Sequence, residues 1–447
     1  MKKAALKILA GVLSVTMALA GCSSSSPTTQ ESSQKPQETA GSNAGSGGEP
    51  TKLTLWSFVP LHLEFYNDAL ERWNQTHPDK KITLETASYP FEDYHNKLLV
   101  SLQSGVGAPD IADIEINKFP NFLKGQPQLV DLTNVVAPEK DKFIQSRLDV
   151  YSKDGKIYGL PTHVGATVMY YNKEILNQAG VNPDDIKTWD DYVKAGKQVL
   201  EKTGKPMMTV EGAGHWTFLP MISQQGSDYF DKDGNVILDN ETNIKTLQFL
   251  QDMVYKDKIA FPAPGGAHSK EEYFGFMNQG GAASVLMPFW YMGRFVSYMP
   301  DLKGKMIVRP MPSWEEGGNR SAGMGGTGTV VTNQSKNQEL ATEFLAFAKL
   351  SKEANIQIWK KLGFDPPRWD VWESPELKEP NVYTEYFGAD LFDQIKVLKD
   401  EISPMNYTEN SPKARSVVEK KVSYEAIQQN SKSPEQVLKE AAADLRK

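Results

Sequence analysis

The chain contains one cysteine in 447 residues, Cys22, so no intramolecular disulfide can form and stability must come from a large buried core. Positive charge is also scarce. Its 49 Lys and Arg residues stand against 56 Asp and Glu, a net charge of −7, which makes nucleic acid an unsuitable partner. The apolar run near the start, Ile8 to Leu19, is 12 residues long and too short to span a bilayer. The six histidines show no H-x-x-H or H-E-x-x-H spacing, so no metal site is expected, and no cofactor either. A Gly-x-Ser-x-Gly elbow is missing too, which leaves serine hydrolysis without support.

What is present begins with Lys2, Lys3 and Lys7 ahead of that apolar run, the pattern of a signal peptide. Leu19-Ala20-Gly21-Cys22 resembles a bacterial lipobox, which implies cleavage before Cys22 and a diacylglycerol on its sulfur. Residues 1–21 are then a signal peptide, and losing its three lysines takes the charge to −10. Residues 22–51 are the lipidated cysteine and a Ser, Thr, Gln, Gly, Pro and Glu tether, whose composition buries too little apolar surface to order. A flexible coil of that length reaches roughly 30 Å. The expected location is the outer face of the cell membrane, held by lipid alone.

Order begins with the alternating strand Lys52 to Phe58, followed by a helix with Leu63, Tyr66, Leu70 and Trp73 on its apolar side. A strand at 81–86, a helix at 91–103 and a strand at 110–116 complete a βαβαβ unit, hence a parallel sheet covered by helices. A second α/β block starts with a strand at 166–171. Thr188-Trp189-Asp190-Asp191 opens a helix carrying Tyr192, Ala195 and Val199. Ile244, Leu247, Leu250 and Val254 mark another helix, and strands are expected at 282–287, 305–309 and 329–332. The last 110 or so residues read as mostly helical, ending in the N-cap Ser433-Pro434-Glu435-Gln436.

Several motifs fail on context. Gly323-Met324-Gly325-Gly326-Thr327-Gly328 fits GxGxxG, but a strand follows where a phosphate-binding loop needs a helix N-terminus. A glycine-lined loop that lets a ligand or another segment approach the backbone suits it better. Asp231-Lys232-Asp233-Gly234-Asn235 has its glycine at the wrong position for a calcium loop and reads as a hairpin turn. Asp113 and Glu115 share one side of a strand, and paired carboxylates are what glycosidases use. At the C-terminal end of a parallel strand they equally suit hydrogen bonding to sugar hydroxyls without chemistry.

Aromatic residues add to this. Trp56 and Phe58 close the first strand, Tyr89 follows the second, and Phe289-Trp290-Tyr291 follows a later one, all at strand C-termini. A flat ring matches the apolar face of a sugar while carboxylates and amides read its hydroxyl rim.

His95-Asn96-Lys97-Leu98, Pro109 to Glu115, Lys118 to Gly125, Thr162 to Ala166, Gly275 to Gly281 and Gly363 to Trp372 resemble segments of extracellular solute-binding proteins of family 1. Within that family the match is to arabinose- and arabino-oligosaccharide-binding lipoproteins of Gram-positive ABC importers. The resemblance implies a two-lobe α/β periplasmic-binding-protein-like fold of type II, with parallel-rich sheets flanked by helices and a ligand cleft between lobes. It implies a monomeric sugar receptor with importer permeases as partners, and not an enzyme. By analogy the N-terminal lobe holds residues 52–161 and 318–372, and the C-terminal lobe 162–317 and 373–447. Crossings are expected near Leu160 to His163, Arg309 to Gly323 and Trp369 to Pro380. Trp290 is the expected stacking platform and Asp113 and Glu115 the hydroxyl acceptors. Trp56, Phe58, Tyr89, His163, Trp216, Gly325, Gly326, Thr327, Arg368 and Trp369 are further cleft candidates. The alternative is an anchored glycoside hydrolase using Asp113 and Glu115 on arabinan-type oligosaccharides.

Overall fold

The structure, a computed structural model, describes residues 49–447; Cys22, the signal peptide and most of the expected tether lie outside the described residues. The first sheet is built from β1 (Thr51–Ser57), α1 (Pro60–Thr76), β2 (Ile82–Ser88), α2 (Phe91–Ser104) and β3 (Ile111–Glu115). β1 pairs in parallel with both β2 and β3, as the βαβαβ reading requires. Leu53, Leu55 and Ile111 pack against α1, while Ala112 and Ile114 pack with Tyr94 and Leu98 of α2 on the opposite face. The buried stripe of α1 is His62, Phe65, Tyr66, Ala69 and Trp73, rotated from the expected one so that Leu63 and Leu70 are only partly covered. The reason is polar. His62 and Tyr66 turn inward to reach Asp113.

Two strands far apart in sequence complete this sheet. β4 (Leu160–Pro161) and a late strand, Thr327–Val331, give the order β2-β1-β3, then Thr327–Val331, then β4. The late strand runs antiparallel to both neighbours, a long-range return no local pattern announces.

The second sheet is β5 (Thr167–Asn172) flanked by β6 (Ser284–Pro288) and β7 (Met306–Pro310); the late strand above is β8. Both pairings with β5 are antiparallel, in contrast to the parallel pairs of the first sheet. β5 is buried on both faces, Met169 and Tyr171 into one core and Val168 and Tyr170 into another. That explains why its sequence is apolar without alternation.

The first of these cores holds α3 (Trp189–Thr203), α4 (Glu241–Tyr255) and α5 (Pro434–Leu445). Thr188 caps α3 through a full capping box with Asp191, and Ser433 caps α5 by accepting the Gln436 N–H at 3.2 Å. Thr188→Ala should therefore lower stability by about 1 kcal/mol in urea unfolding, with ligand binding unchanged. The Asp231 turn is a hairpin: Asp231 N–H donates to Asn235 O at 2.9 Å and Gly234 takes φ +83°. No helix among the described residues is long and apolar enough to cross a membrane.

Candidate functional site

Three chain segments link the two sheets, and they meet at one place. Met324 N–H donates to Gly165 O at 2.7 Å and Val164 N–H to Asp365 O at 3.0 Å. The Asp365 carboxylate accepts Gly165 N–H at 3.1 Å and Ala166 N–H at 2.6 Å. Burial pushes this carboxyl up to about 6, opposed by those two N–H groups. The segment around Asp365 thus joins the other two here.

Glycine makes the junction possible. Gly165 has φ +78°, and a Cβ there would stand 2.1 Å from Met324 O. Gly325 has φ +73°, and its Cβ would stand 2.9 Å from Trp290 Nε1 and 3.8 Å from Trp216. The two indoles are nearly perpendicular, centroids 5.2 Å apart and planes at 76°, and Trp290 Nε1–H donates to Met324 O at 3.2 Å. Trp290 follows β6 in a single helical turn and packs against cores belonging to both sheets. Trp216 sits on a loop held by Glu211, whose carboxylate accepts Trp216 N–H at 2.6 Å and His268 N–H at 2.9 Å. Burial raises Glu211 to about 7.

Around this junction lie buried polar atoms that no group in the structure satisfies. Tyr151 Oη, Arg147 Nε and both ring nitrogens of His163 and of His215 have no hydrogen-bond partner among the described residues. Arg147 donates from Nη1 to Gly325 O at 3.3 Å, a Cβ on Gly326 would come within 2.8 Å of Tyr151 Oη, and the His215 ring lies 4.6 Å from that of Trp216. Unpaired buried donors and acceptors are costly, so such a cluster is unusual in a folded chain.

The other expected residues separate into groups. Trp56 and Tyr89 meet edge to face at 5.5 Å with Lys97 Nζ 3.9 Å from the Tyr89 centroid, and Phe58 packs on Phe91 and His95. They form a half-buried aromatic patch at the strand ends of the first sheet. Glu115 ends β3 and is raised by burial, against which Arg415 pulls most strongly; its oxygens accept Asn117 N–H at 2.9 Å and Asn117 Nδ2–H at 2.7 Å. Thr327 opens β8 and accepts the Thr162 N–H at its carbonyl. His163 is buried with its ring 4.7 Å from Phe364.

Three expectations need correcting. Asp113 is fully buried and does not face a cleft: it accepts hydrogen bonds from Ser57, His62, Tyr66 and Thr329, so its oxygens are already filled. Arg368 is buried and spends its donors on Asp370, Glu139 and the Leu350 carbonyl. Trp369 is 38% exposed and binds Asp141 O and the Lys399 ammonium instead. Arg147, Tyr151, Glu211, His215 and Arg415, which nothing in the sequence singles out, also stand near the junction or its tryptophans. They come from separate helices and loops, where isolated polar residues look like surface. No group of three or more His, Cys, Asp or Glu side chains among the described residues could hold a metal ion.

Two sheets with separate cores, joined at a glycine-lined junction beside paired tryptophans, define a two-lobed ligand-binding protein of the type II periplasmic class. The chain belongs to the bacterial extracellular solute-binding protein family, whose model matches residues 60–355. It is 54% identical over 449 residues, the whole of both chains, to the arabinooligosaccharide-binding protein of Bacillus subtilis. It is 51% identical over 391 residues, 88% of each chain, to the arabinooligosaccharide-binding protein of Halalkalibacterium halodurans. Among solved structures, the GacH receptor of Streptomyces glaucescens superposes with TM-score 0.73 at 20% identity, covering 89% of this chain and 98% of that one. A binding protein of B. animalis subsp. lactis in complex with β-1,6-galactobiose gives TM-score 0.72 at 23% identity, covering 89% and 96%.

Proposed function

We propose that this protein is an extracellular receptor that captures arabino-oligosaccharides and hands them to the permeases of an ABC importer. The observation that carries this reading is the Trp216–Trp290 pair seated on Gly325 amid unsatisfied buried polar atoms. The rings supply stacking faces, and Tyr151, Arg147, His215 and Glu115 supply donors and acceptors for hydroxyls. Ligand would be held by contacts to both lobes and select their closed arrangement, a hinge motion about the three-segment junction. The lobes are proposed to divide at that junction, residues 52–161 with 327–349 against 167–310 with 411–445. Lipidation at Cys22 would hold the receptor beside its transporter, since two or more acyl chains anchor stably where one does not.

A hydrolase is not favoured, because Asp113 is locked by four hydrogen-bond donors and cannot act as acid or nucleophile. Calorimetry with arabinose and arabinobiose to arabinopentaose tests the receptor reading; folded protein that gives no heat with any of them would refute it. Trp290→Ala should weaken arabinotriose binding by about 2 kcal/mol and, because the ring also packs on both cores, lower the melting temperature as well. An unchanged dissociation constant would remove Trp290 from the site.

A further inference from the structure

Arg415 occupies a position that neither the receptor reading nor the motif pattern assigns. It lies on the helix Ser411–Val417, which packs into the core beneath β5. Its guanidinium carbon is 5.6 Å from the Trp216 ring centroid and 5.9 Å from that of Phe91, at the start of α2. It is thus set between a ring beside the second sheet and a ring beside the first. Nε donates to Glu419 Oε1 at 2.8 Å, which fixes the plane of the fork. Both Nη groups are left without a protein acceptor among the described residues, and the side chain keeps 26% of its exposure.

A second carboxylate that its charge reaches is Glu115, at the end of β3. Arg415 is the strongest charge pulling on that carboxylate, and Glu115 is in turn second only to Glu419 among the carboxylates acting on Arg415. A sugar hydroxyl is both donor and acceptor, so one placed between them can accept from an Nη–H and donate to the Glu115 carboxylate. The two charges balance, so an uncharged ligand desolvates no net charge, while an ammonium sugar meets Arg415 and a uronate meets Glu115.

We infer that Arg415 is a specificity-determining residue of the sugar site, a cross-cleft fork that reads uncharged hydroxylated ligands together with Glu115 and holds Phe91 and Trp216 about them. This rests on the receptor reading. Lysine is not equivalent here, because it keeps the charge but loses the planar fork and the ring stacking.

The test compares wild type, Arg415→Gln and Arg415→Lys by calorimetry with arabinotriose, with melting temperature as the control for folding. Arg415→Gln should weaken binding about 30-fold and Arg415→Lys about 10-fold, charge-assisted hydrogen bonds being the strong ones. A pH series adds a readout that loss of packing alone would not move. The groups around Glu115 are His95 from α2, whose Nε2 accepts the Glu115 N–H, with Asn117, Lys118, Arg415 and the phenols of Tyr151 and Tyr407. Without Arg415 the Glu115 carboxyl rises further, so affinity in Arg415→Gln should fall more steeply than in wild type as pH drops from 8 to 5.

Binding by Arg415→Gln within threefold of wild type, or a parallel pH profile in the two proteins, would overturn the assignment. If wild type itself binds no arabinotriose, the ligand reading fails separately. The clamp is then judged by small-angle scattering of the proteins without sugar, where Arg415→Gln should be the more extended and equal radii of gyration would overturn it.

Discussion

Asp113→Ala is expected to lower folding stability by about 4 kcal/mol, the cost of breaking a buried charged network by removing one member. Asp113 Oδ2 accepts Ser57 Oγ–H at 2.7 Å and His62 Nδ1–H at 2.9 Å, and Oδ1 accepts Tyr66 Oη–H at 3.1 Å and Thr329 Oγ1–H at 2.8 Å. These donors come from β1, α1 and β8, so the carboxylate ties the two outer contributions to the strand that carries it. Lys349 is buried nearby and donates to Thr162 Oγ1 at 2.6 Å. Burial brings its ammonium down to about 8, and Asp113 opposes that fall. Alanine would leave at least three buried donors unpaired and this ammonium without its opposite charge.

The sign of the pH dependence follows from the Asp113 carboxyl. It is held down at about 2, against the usual 3.8, by His62 and Lys349 and by Ser57, which together outweigh its burial. Its contribution is therefore complete above about pH 4 and is lost as pH falls through about 2. The stability gap between wild type and Asp113→Ala, measured by urea unfolding, should narrow between pH 4 and pH 2. A gap below about 1 kcal/mol at pH 7 would show that the network is not a fold-stabilising unit.

Gly165→Ala is expected to be nearly as severe, a loss of about 3 kcal/mol or more, because its Cβ would meet a backbone oxygen. The contact is with Met324 O at 2.1 Å, across a hydrogen bond of 2.7 Å between Met324 N–H and Gly165 O. Neither partner is a side chain that can swing away. Gly105→Ala is the control: it shares a positive φ, +76°, but its Cβ would meet nothing within 4 Å. That variant should lose only about 1 kcal/mol, the backbone strain alone. Equal melting temperatures for the two variants would mean that the junction yields, and that close packing of the segments is not what sets it.

Where these residues lie also shows what was legible in the chain. The unit β1-α1-β2-α2-β3 could be read because each element is short, periodic and adjacent to its partner, and the caps at Thr188 and Ser433 are local chemistry. β8 was expected as a strand, but its antiparallel seat between β3 and β4 depends on a pairing more than 200 residues away in sequence. The strand directions of the second sheet were not legible for the same reason. β5 is covered on both faces, so its apolar run carries no direction, and only its distant partners make it antiparallel.

The site divides along the same line. Trp290 stands out in the sequence because an aromatic residue after a strand suits a ligand cleft in an α/β fold, and the glycine run because it lets another group approach the backbone. Asp113 looked identical in kind to Glu115, two residues along the same strand. What separates them is that Asp113 lies beneath α1, where His62 and Tyr66 reach it, whereas Glu115 ends the strand and is bonded by its neighbour Asn117. Composition, periodicity and capping dictate the elements and their residue chemistry, because those depend on neighbours within a few positions. Which carboxylate is locked by four donors and which keeps only those of its neighbour Asn117 was decided only when segments far apart in sequence packed together, because burial and hydrogen-bond partners belong to tertiary contact.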